Sequence, residues 1–474
     1  MYGTDYDEAT GYEDFTIAFS STGQPGASFK LSATSANGET IAFDYYPPVT
    51  SFEIDEALAG VTRANAQFAL SVPRTSSDEI RALGERLYSS VWQSGITDLY
   101  QYSSRLAKDK GKNLRLRFMI NDPELAALPW EFLFDPSRKD FLTLSARTPL
   151  ARKWSSWPTP PPLPSFVEPP LRVLVIEAEV RAWDIGAEPE IDSLRKLANR
   201  NPPVLELVDV IHNATFSAFL DAVFKPYDVL HLCLTGATRE GIPGFGTGSG
   251  FPVSKMVADS LVFIDEKSGV NRVPHRIDLE SLRIAIGKSG LRLIYLSGDC
   301  TDWLASQLTE VSPATLGWRG LNTSEAYFSF TKGFYSALTR GLPLESAVTH
   351  GRKAVDADYP GGKEWGMPVF YMQTPDGFAV SKPKRTRAVS GPVLESVIGS
   401  SDVLSGPSNP ANQREWTKLS VLLSVAEENY RAVVDEVGKY VDVGEAVPQH
   451  LESQSQELQT SISTLRKDLE RLAQ

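Results

Sequence analysis

Three stretches set the tightest limit on what this chain can become: Leu171-Arg172-Val173-Leu174-Val175-Ile176, Asp228-Val229-Leu230-His231-Leu232-Cys233-Leu234 and Leu291-Arg292-Leu293-Ile294-Tyr295-Leu296. Each is short and nearly unbroken in apolar residues. A strand with apolar side chains on both sides must be covered on both faces, as in a parallel sheet held between helical layers. Helices are expected at 189–199, Thr215 to Phe224, 324–339 and 344–355. Further strands are expected at Val204-Leu205-Glu206-Leu207-Val208 and Pro368-Val369-Phe370-Tyr371-Met372. Alternating strands and helices, joined by right-handed crossovers, predict a layered α/β sheet with helices on both faces over 171–381.

The preceding residues divide differently. Residues 1–75 read as a β-rich region, with alternating runs Phe15-Thr16-Ile17-Ala18-Phe19 and Ser28-Phe29-Lys30-Leu31-Ser32 punctuated by Gly23, Gly26 and Gly38. Residues 76–156 follow as a second segment. Within it, 77–109 read as one helix capped by Ser77 or Asp78, with Ile80, Leu83, Leu87 and Val91 at helical spacing. Leu114 to Ile120 read as a strand with Arg115 and Arg117 on a solvated face, able to meet an acidic partner. Residues 157–170 carry seven prolines and form an extended connector, because proline neither donates to a sheet nor sits inside a helix.

Beyond 381 the composition shifts again. Residues 382–412 are basic, then rich in Ser, Gly and Pro, and read as a flexible linker. In 413–474, Trp416, Leu419, Leu423, Ala426, Tyr430, Val433, Val437 and Tyr440 form one heptad seam. Leu458, Ile462, Leu465, Leu469 and Leu472 form another. Gly444 and Pro448 separate them, predicting a helical hairpin or coiled coil. Either helix alone would expose an apolar stripe, so the tail is expected to bind a protein partner or a second copy of the chain. Trp416 and Tyr440 read as anchors of that interface.

Residues 12–378 resemble the CHAT family, caspase-like cysteine peptidase domains of the clan that includes caspases and separases. The resemblance is carried by Leu114-Arg115-Leu116-Arg117, Leu125-Ala126-Ala127-Leu128-Pro129-Trp130-Glu131-Phe132-Leu133-Phe134-Asp135 and Phe141-Leu142-Thr143-Leu144-Ser145. It continues in Arg147-Thr148-Pro149-Leu150, Leu171-Arg172-Val173-Leu174-Val175, Phe334-Tyr335-Ser336-Ala337-Leu338 and Arg352-Lys353-Ala354. It closes with Trp365-Gly366-Met367-Pro368-Val369-Phe370-Tyr371-Met372 and Pro375-Asp376-Gly377, in the family's order. It implies a caspase-like layered sheet.

The family's activity needs a histidine base at the end of one central strand, in His-Phe-x-Gly-His-Gly. It also needs a cysteine nucleophile at the end of the next, in Leu-Asn-Ala-Cys or Leu-Asn-Gly-Cys. A thiol is weakly ionised at neutral pH, so an imidazole must activate it. Here the first pattern reads His231-Leu232-Cys233-Leu234-Thr235-Gly236, with Thr235 at the base position. The second reads Leu296-Ser297-Gly298-Asp299-Cys300-Thr301, with Asp299 at the nucleophile position. Threonine accepts no proton near neutral pH. The resemblance therefore implies the fold and withdraws the usual activity.

Cys300 lies one residue past the nucleophile position. It is read as a buried small hydrophobe, the alternative being a nucleophile re-aimed by a one-residue slip. His231, Cys233 and Cys300 offer three potential metal ligands without a tight motif, and His231 reads as a satisfied core histidine, so no metal or other cofactor is expected. Gly244-Phe245-Gly246-Thr247-Gly248-Ser249-Gly250 lacks the Gly-Lys-Ser/Thr ending of a phosphate loop. It reads as a flexible loop at the former mouth, serving as lid or docking loop.

A net charge of −12 disfavours nucleic acid and anionic membranes as partners, and no apolar run reaches membrane-spanning length. With two cysteines and no leader-like N-terminus, a cytoplasmic location is expected. The leading functional expectation is a catalytically degenerate caspase-like protein, acting as adaptor, sensor or regulatory subunit. The resemblance places it in a bacterial defence or conflict system, with an effector or peptidase encoded nearby as partner. One alternative is a cysteine endopeptidase using Cys300. Another is a module that binds a small polar ligand above Thr235 and Asp299.

Overall fold

A computed structural model describes residues 11–21, 29–58, 77–154, 164–178, 186–200, 203–238, 257–266, 273–287 and 291–381 of this chain. The chain divides into two compact units, Met1–Lys384 and Arg385–Gln474. In the second, only Thr464, Lys467 and Arg471 are described, each helical and exposed. Both heptad seams, the linker 382–412, connector residues 157–163 and the loop Gly244–Gly250 lie outside the described residues.

The first unit is built on one eleven-stranded mixed sheet. Its strands are β1 (Tyr12–Ser21), β2 (Phe29–Thr34), β3 (Thr40–Tyr45), β4 (Asn113–Ile120), β5 (Leu150–Trp154), β6 (Leu171–Glu177), β7 (Leu205–Ile211), β8 (Val229–Cys233), β9 (Leu293–Leu296), β10 (Ala314–Trp318) and β11 (Pro368–Met372). They lie side by side as β7-β6-β8-β9-β10-β11-β5-β4-β1-β2-β3. The strands from β7 to β10 are mutually parallel. β11 runs antiparallel to β10 and parallel to β5, so polarity reverses in mid-sheet. Strands from residues 1–75 and 76–156 thus continue the sheet formed by 171–381.

Helices cover both faces. One core joins Val229, Cys233, Leu293 and Tyr295 to α4 (Glu188–Ala198), α8 (Ser324–Leu338) and α9 (Leu344–Asp358). The other joins Leu230, Leu232, Ile294 and Leu296 to α5 (Phe216–Val223), α6 (Leu279–Ile286) and α7 (Asp302–Leu308). Strand residues alternate between the two cores because successive side chains point to opposite faces. This is the layered α/β architecture expected from the unbroken apolar strands.

Three local expectations need correction. The span 77–109 is two helices, α2 (Ser77–Val91) and α3 (Ser94–Asp109). Gln93 is extended at φ −79°, ψ 166°, and Trp92 turns inward to stack on Tyr88 at 4.7 Å between ring centres. Within the region read as β, Ser51–Leu58 is a helix, α1. A capping box starts it: Thr50 N–H donates to Glu53 Oε2 at 2.7 Å, and Glu53 N–H donates to Thr50 Oγ1 at 3.3 Å.

The third correction concerns Arg115 and Arg117, which are buried rather than solvated. Arg115 Nε donates to Asp14 Oδ1 at 2.6 Å, and its guanidinium also pairs with Glu345. Arg117 donates to the carbonyls of Met372, Thr374 and Pro375 at 3.1, 3.0 and 2.7 Å. The face opposite the apolar one is covered by the turn after β11.

A second ionic cluster sits in the core. Glu131 is fully buried and is bonded in bidentate fashion by Arg152, at 2.9 Å from Nε and 2.5 Å from Nη2. Arg319 and Arg352 stand 3.9 and 4.0 Å from the same carboxylate. Arg152 also donates to the carbonyls of Ala126 and Leu128 at 2.7 and 3.0 Å, and Arg352 donates to that of Pro368 at 3.0 Å. Glu131 therefore gathers cations from β5, α9 and the loop after β10.

Candidate functional site

The parallel pairing of β8 with β9 sets the two positions of interest side by side. His231 is opposite Tyr295, and Leu232 is opposite Leu296. Past the strand ends the two segments press backbone against backbone. Gly236 N–H donates to Asp299 O at 2.9 Å, and Ser297 N–H donates to Leu232 O at 2.8 Å. A Cβ on Gly298 would lie 1.9 Å from Leu234 O, so only glycine allows this approach.

Asp299 is buried. Its Oδ1 accepts from Tyr327 Oη at 2.5 Å and from the backbone N–H of Asn322 at 2.8 Å. The carboxylate thus pins the loop between β10 and α8. Asp299→Ala should lower stability by about 2 kcal/mol, because both buried donors lose their acceptor. Asp299→Asn, which keeps an acceptor oxygen, should lose much less. Urea midpoints compare the two, and equal losses would contradict this bonding role. Thr235 is half-buried, and its carbonyl accepts from Val262 N–H at 3.0 Å.

Cys300 has a fully buried side chain and a left-handed backbone, φ +57°. It belongs to the core on the Leu230 and Leu232 face. His231, between those two residues in the strand, points to the opposite face. His231 takes that face by strand alternation and Cys300 takes the other by the left-handed turn after β9, so the two residues are on different sides of the sheet and form no nucleophile–base pair.

His231 instead lies in a buried polar cluster beneath α4 and α8. Its ring stacks on Tyr295 at 4.4 Å between centroids. Nδ1 is 3.3 Å from Tyr335 Oη, and Nε2 is 3.4 Å from Glu190 Oε2. Ser297 and Thr331 donate hydroxyl hydrogen bonds to Glu190 Oε2 at 2.8 and 2.7 Å. Burial pushes the Cys233 thiol well above its ordinary pKa, and Glu190 and Glu177 push it further. A thiol in that setting is not a nucleophile. Ser297 is no better placed, since its hydroxyl is committed to a carboxylate rather than to an imidazole.

The three sequence-derived ligand candidates are therefore not one group. Cys300 is on the wrong face, and Glu190 takes its place. Ligand atoms of Glu190, His231 and Cys233 all lie within 4.8 Å of one another, and all three residues are buried. Glu190 went unnoticed because a glutamate in the first turn of α4 has the pattern of an ordinary surface residue beside the helix dipole.

No protein-family model matches this sequence, and no curated protein matches it. Among solved structures, the chain is similar to two of the Saccharomyces cerevisiae separase–securin complex. Identities are 9% and 10%, TM-scores 0.41 and 0.42, and the matches cover 77% and 78% of this chain. The matches span 30% of the length of each of those chains. The Arg-specific cysteine proteinase gingipain R is similar at 10% identity and a TM-score of 0.32, over 62% of this chain and 70% of that one. Among the described residues, no helix is long and apolar enough to cross a membrane.

Proposed function

We propose that this chain is a pseudo-peptidase, a caspase-like scaffold whose work is binding rather than bond cleavage. The observation that carries this reading is the separation of His231 and Cys300 onto opposite faces of the sheet; it is supported by the sequence resemblance, which aligns Thr235 and Asp299 with the family's histidine and cysteine. Loss of either member of a nucleophile–base pair costs orders of magnitude in rate, and loss of both costs little more. The heptad tail supplies the binding function. Its role is adaptor or regulatory subunit in a bacterial defence system, with a protein partner encoded nearby.

Two measurements test the proposal. Cys300→Ala should leave cleavage of a peptide library unchanged from a blank. A thiol-reactive peptide electrophile should label neither cysteine in the native protein. Cleavage abolished by Cys300→Ala would overturn the reading. For the binding function, a pull-down with the full chain should recover a stoichiometric partner that is lost when the tail's Leu458, Ile462 and Leu465 are changed to Asp. Equal recovery by wild type and variant would remove the tail from that role.

A further inference from the structure

We infer that Glu190, His231 and Cys233 form a buried site for a divalent cation of the zinc class, held between α4 and β8. Glutamate oxygen, imidazole nitrogen and thiolate sulfur are all established zinc ligands. Each residue offers one ligand atom, and the three atoms lie within 4.8 Å of one another.

Three further observations direct the inference to a cation rather than to a plain polar core. First, His231 Nε2 is fully buried without a hydrogen-bond partner, although buried polar nitrogens are nearly always bonded. It faces Glu190 Oε2 at 3.4 Å, beyond the 2.7–2.9 Å range of a charge-assisted hydrogen bond. That gap is close to a tetrahedron edge for two ligands each about 2.0–2.1 Å from zinc.

Second, Glu190 is 4% exposed and pairs with no lysine or arginine among the described residues. A buried carboxylate needs a compensating cation or a proton. By contrast, the buried carboxylates of Glu131 and Glu345 are compensated by arginines.

Third, the surroundings orient the ligands as metal sites require. With Nε2 on the metal, the proton of His231 sits on Nδ1, facing Tyr335 Oη at 3.3 Å. Ser297 and Thr331 both donate to Glu190 Oε2 and fill its two lone-pair positions, so metal binding keeps Ser297 in place and turns the Thr331 hydroxyl to Tyr295 Oη, 2.9 Å away. Such outer contacts set the tautomer and ring orientation and raise affinity. Binding takes the Cys233 proton to solvent as the metal–sulfur bond forms. The ion ties α4 to β8 beneath α8, beside the vacated dyad positions.

Cobalt(II) serves as a spectroscopic probe. The full chain, stripped with chelator under mild denaturant and refolded with cobalt, should bind one equivalent. It should show a thiolate-to-cobalt charge-transfer band and tetrahedral visible bands, and melt at a higher temperature than the metal-free protein. Cys300→Ser should keep the charge-transfer band and Cys233→Ser should lose it. Tyr335→Phe, which leaves all three ligands in place, should weaken binding by roughly tenfold or more. Absence of the band in refolded wild type, or its persistence in Cys233→Ser, would overturn the inference. So would equal melting temperatures with and without metal. If Cys233→Ser fails to fold, Tyr335→Phe and Cys300→Ser decide.

Discussion

Glu131→Gln should unfold at far lower urea than the wild type, with a loss of about 3–5 kcal/mol. Breaking a buried ion pair costs this much because the remaining charge is left in a medium that cannot solvate it. Here three guanidiniums remain, from Arg152, Arg319 and Arg352, against Asp302 3.4 Å from Arg319. Burial by itself would push the Glu131 carboxyl up, yet the surrounding arginines prevail and hold it below its usual range. Its contribution is complete above the ordinary carboxylate pKa and disappears only as pH falls through that lowered value. Arg352 is the least satisfied of the three, with Nε and Nη1 lacking partners and its pKa brought down to about 10, chiefly by burial. Arg352→Met should therefore restore part of the stability lost in Glu131→Gln. A double variant no more stable than Glu131→Gln alone would show that the arginines do not share one carboxylate. The measurement is the urea midpoint by far-UV circular dichroism.

The second large effect is expected at the strand ends. Gly298→Ala places a methyl 1.9 Å from Leu234 O and 2.6 Å from its carbonyl carbon. Neither atom is the end of a flexible side chain, so relief requires moving one central strand away from its neighbour. Overpacking of a core costs roughly 1–3 kcal/mol and more where backbone must move, and Gly298→Ala belongs at or beyond the top of that range. The shift would also disturb the bond from Gly236 N–H to Asp299 O. Hydrogen exchange should therefore show lost protection at Gly236 before global unfolding. Gly38→Ala serves as a contrast, because a Cβ there meets nothing within 4 Å and only its φ of +82° opposes it. Similar losses at the two sites would argue against close backbone approach as the cause.

Much of this architecture was legible in the residues. Strands β6, β8, β9 and β11 announce themselves as apolar runs because both faces are buried, and helices α4, α5, α8 and α9 follow the resulting alternation, whereas α6, α7 and β10 are too short and too weakly patterned to stand out. What alternation cannot reveal is the cover on each face. Arg115 and Arg117 were correctly separated from Leu114 and Leu116, yet the turn that encloses them arrives from residues 372–376, more than 250 positions away. Glu190 was hidden for the same reason: α4 brings it over His231 only after the sheet has formed. The opposite was true of α1, whose Thr50-x-x-Glu53 signal was local and simply outweighed by the surrounding β pattern. At the candidate site, the sequence points to Thr235 and Asp299 as the dyad positions and to Cys300 as the alternative nucleophile. The face each side chain takes followed only from the left-handed turn at Cys300, which strand periodicity cannot forecast.

The reversal between β10 and β11 has a bearing on how the chain is made. β11, at Pro368–Met372, is synthesised after all ten of the other strands and yet lies in the middle of the sheet, between β10 and β5. Until it arrives, a nascent chain holds two half-sheets, each with an open hydrogen-bonding edge that another chain could occupy. Pairings this distant in sequence form slowly, since long loops must close before any contact rewards them. β11 acts as the keystone of the sheet. Truncation or ribosomal stalling ahead of residue 368 would leave one chain with two unjoined half-sheets and two open edges, so quality control has a clear signature to detect.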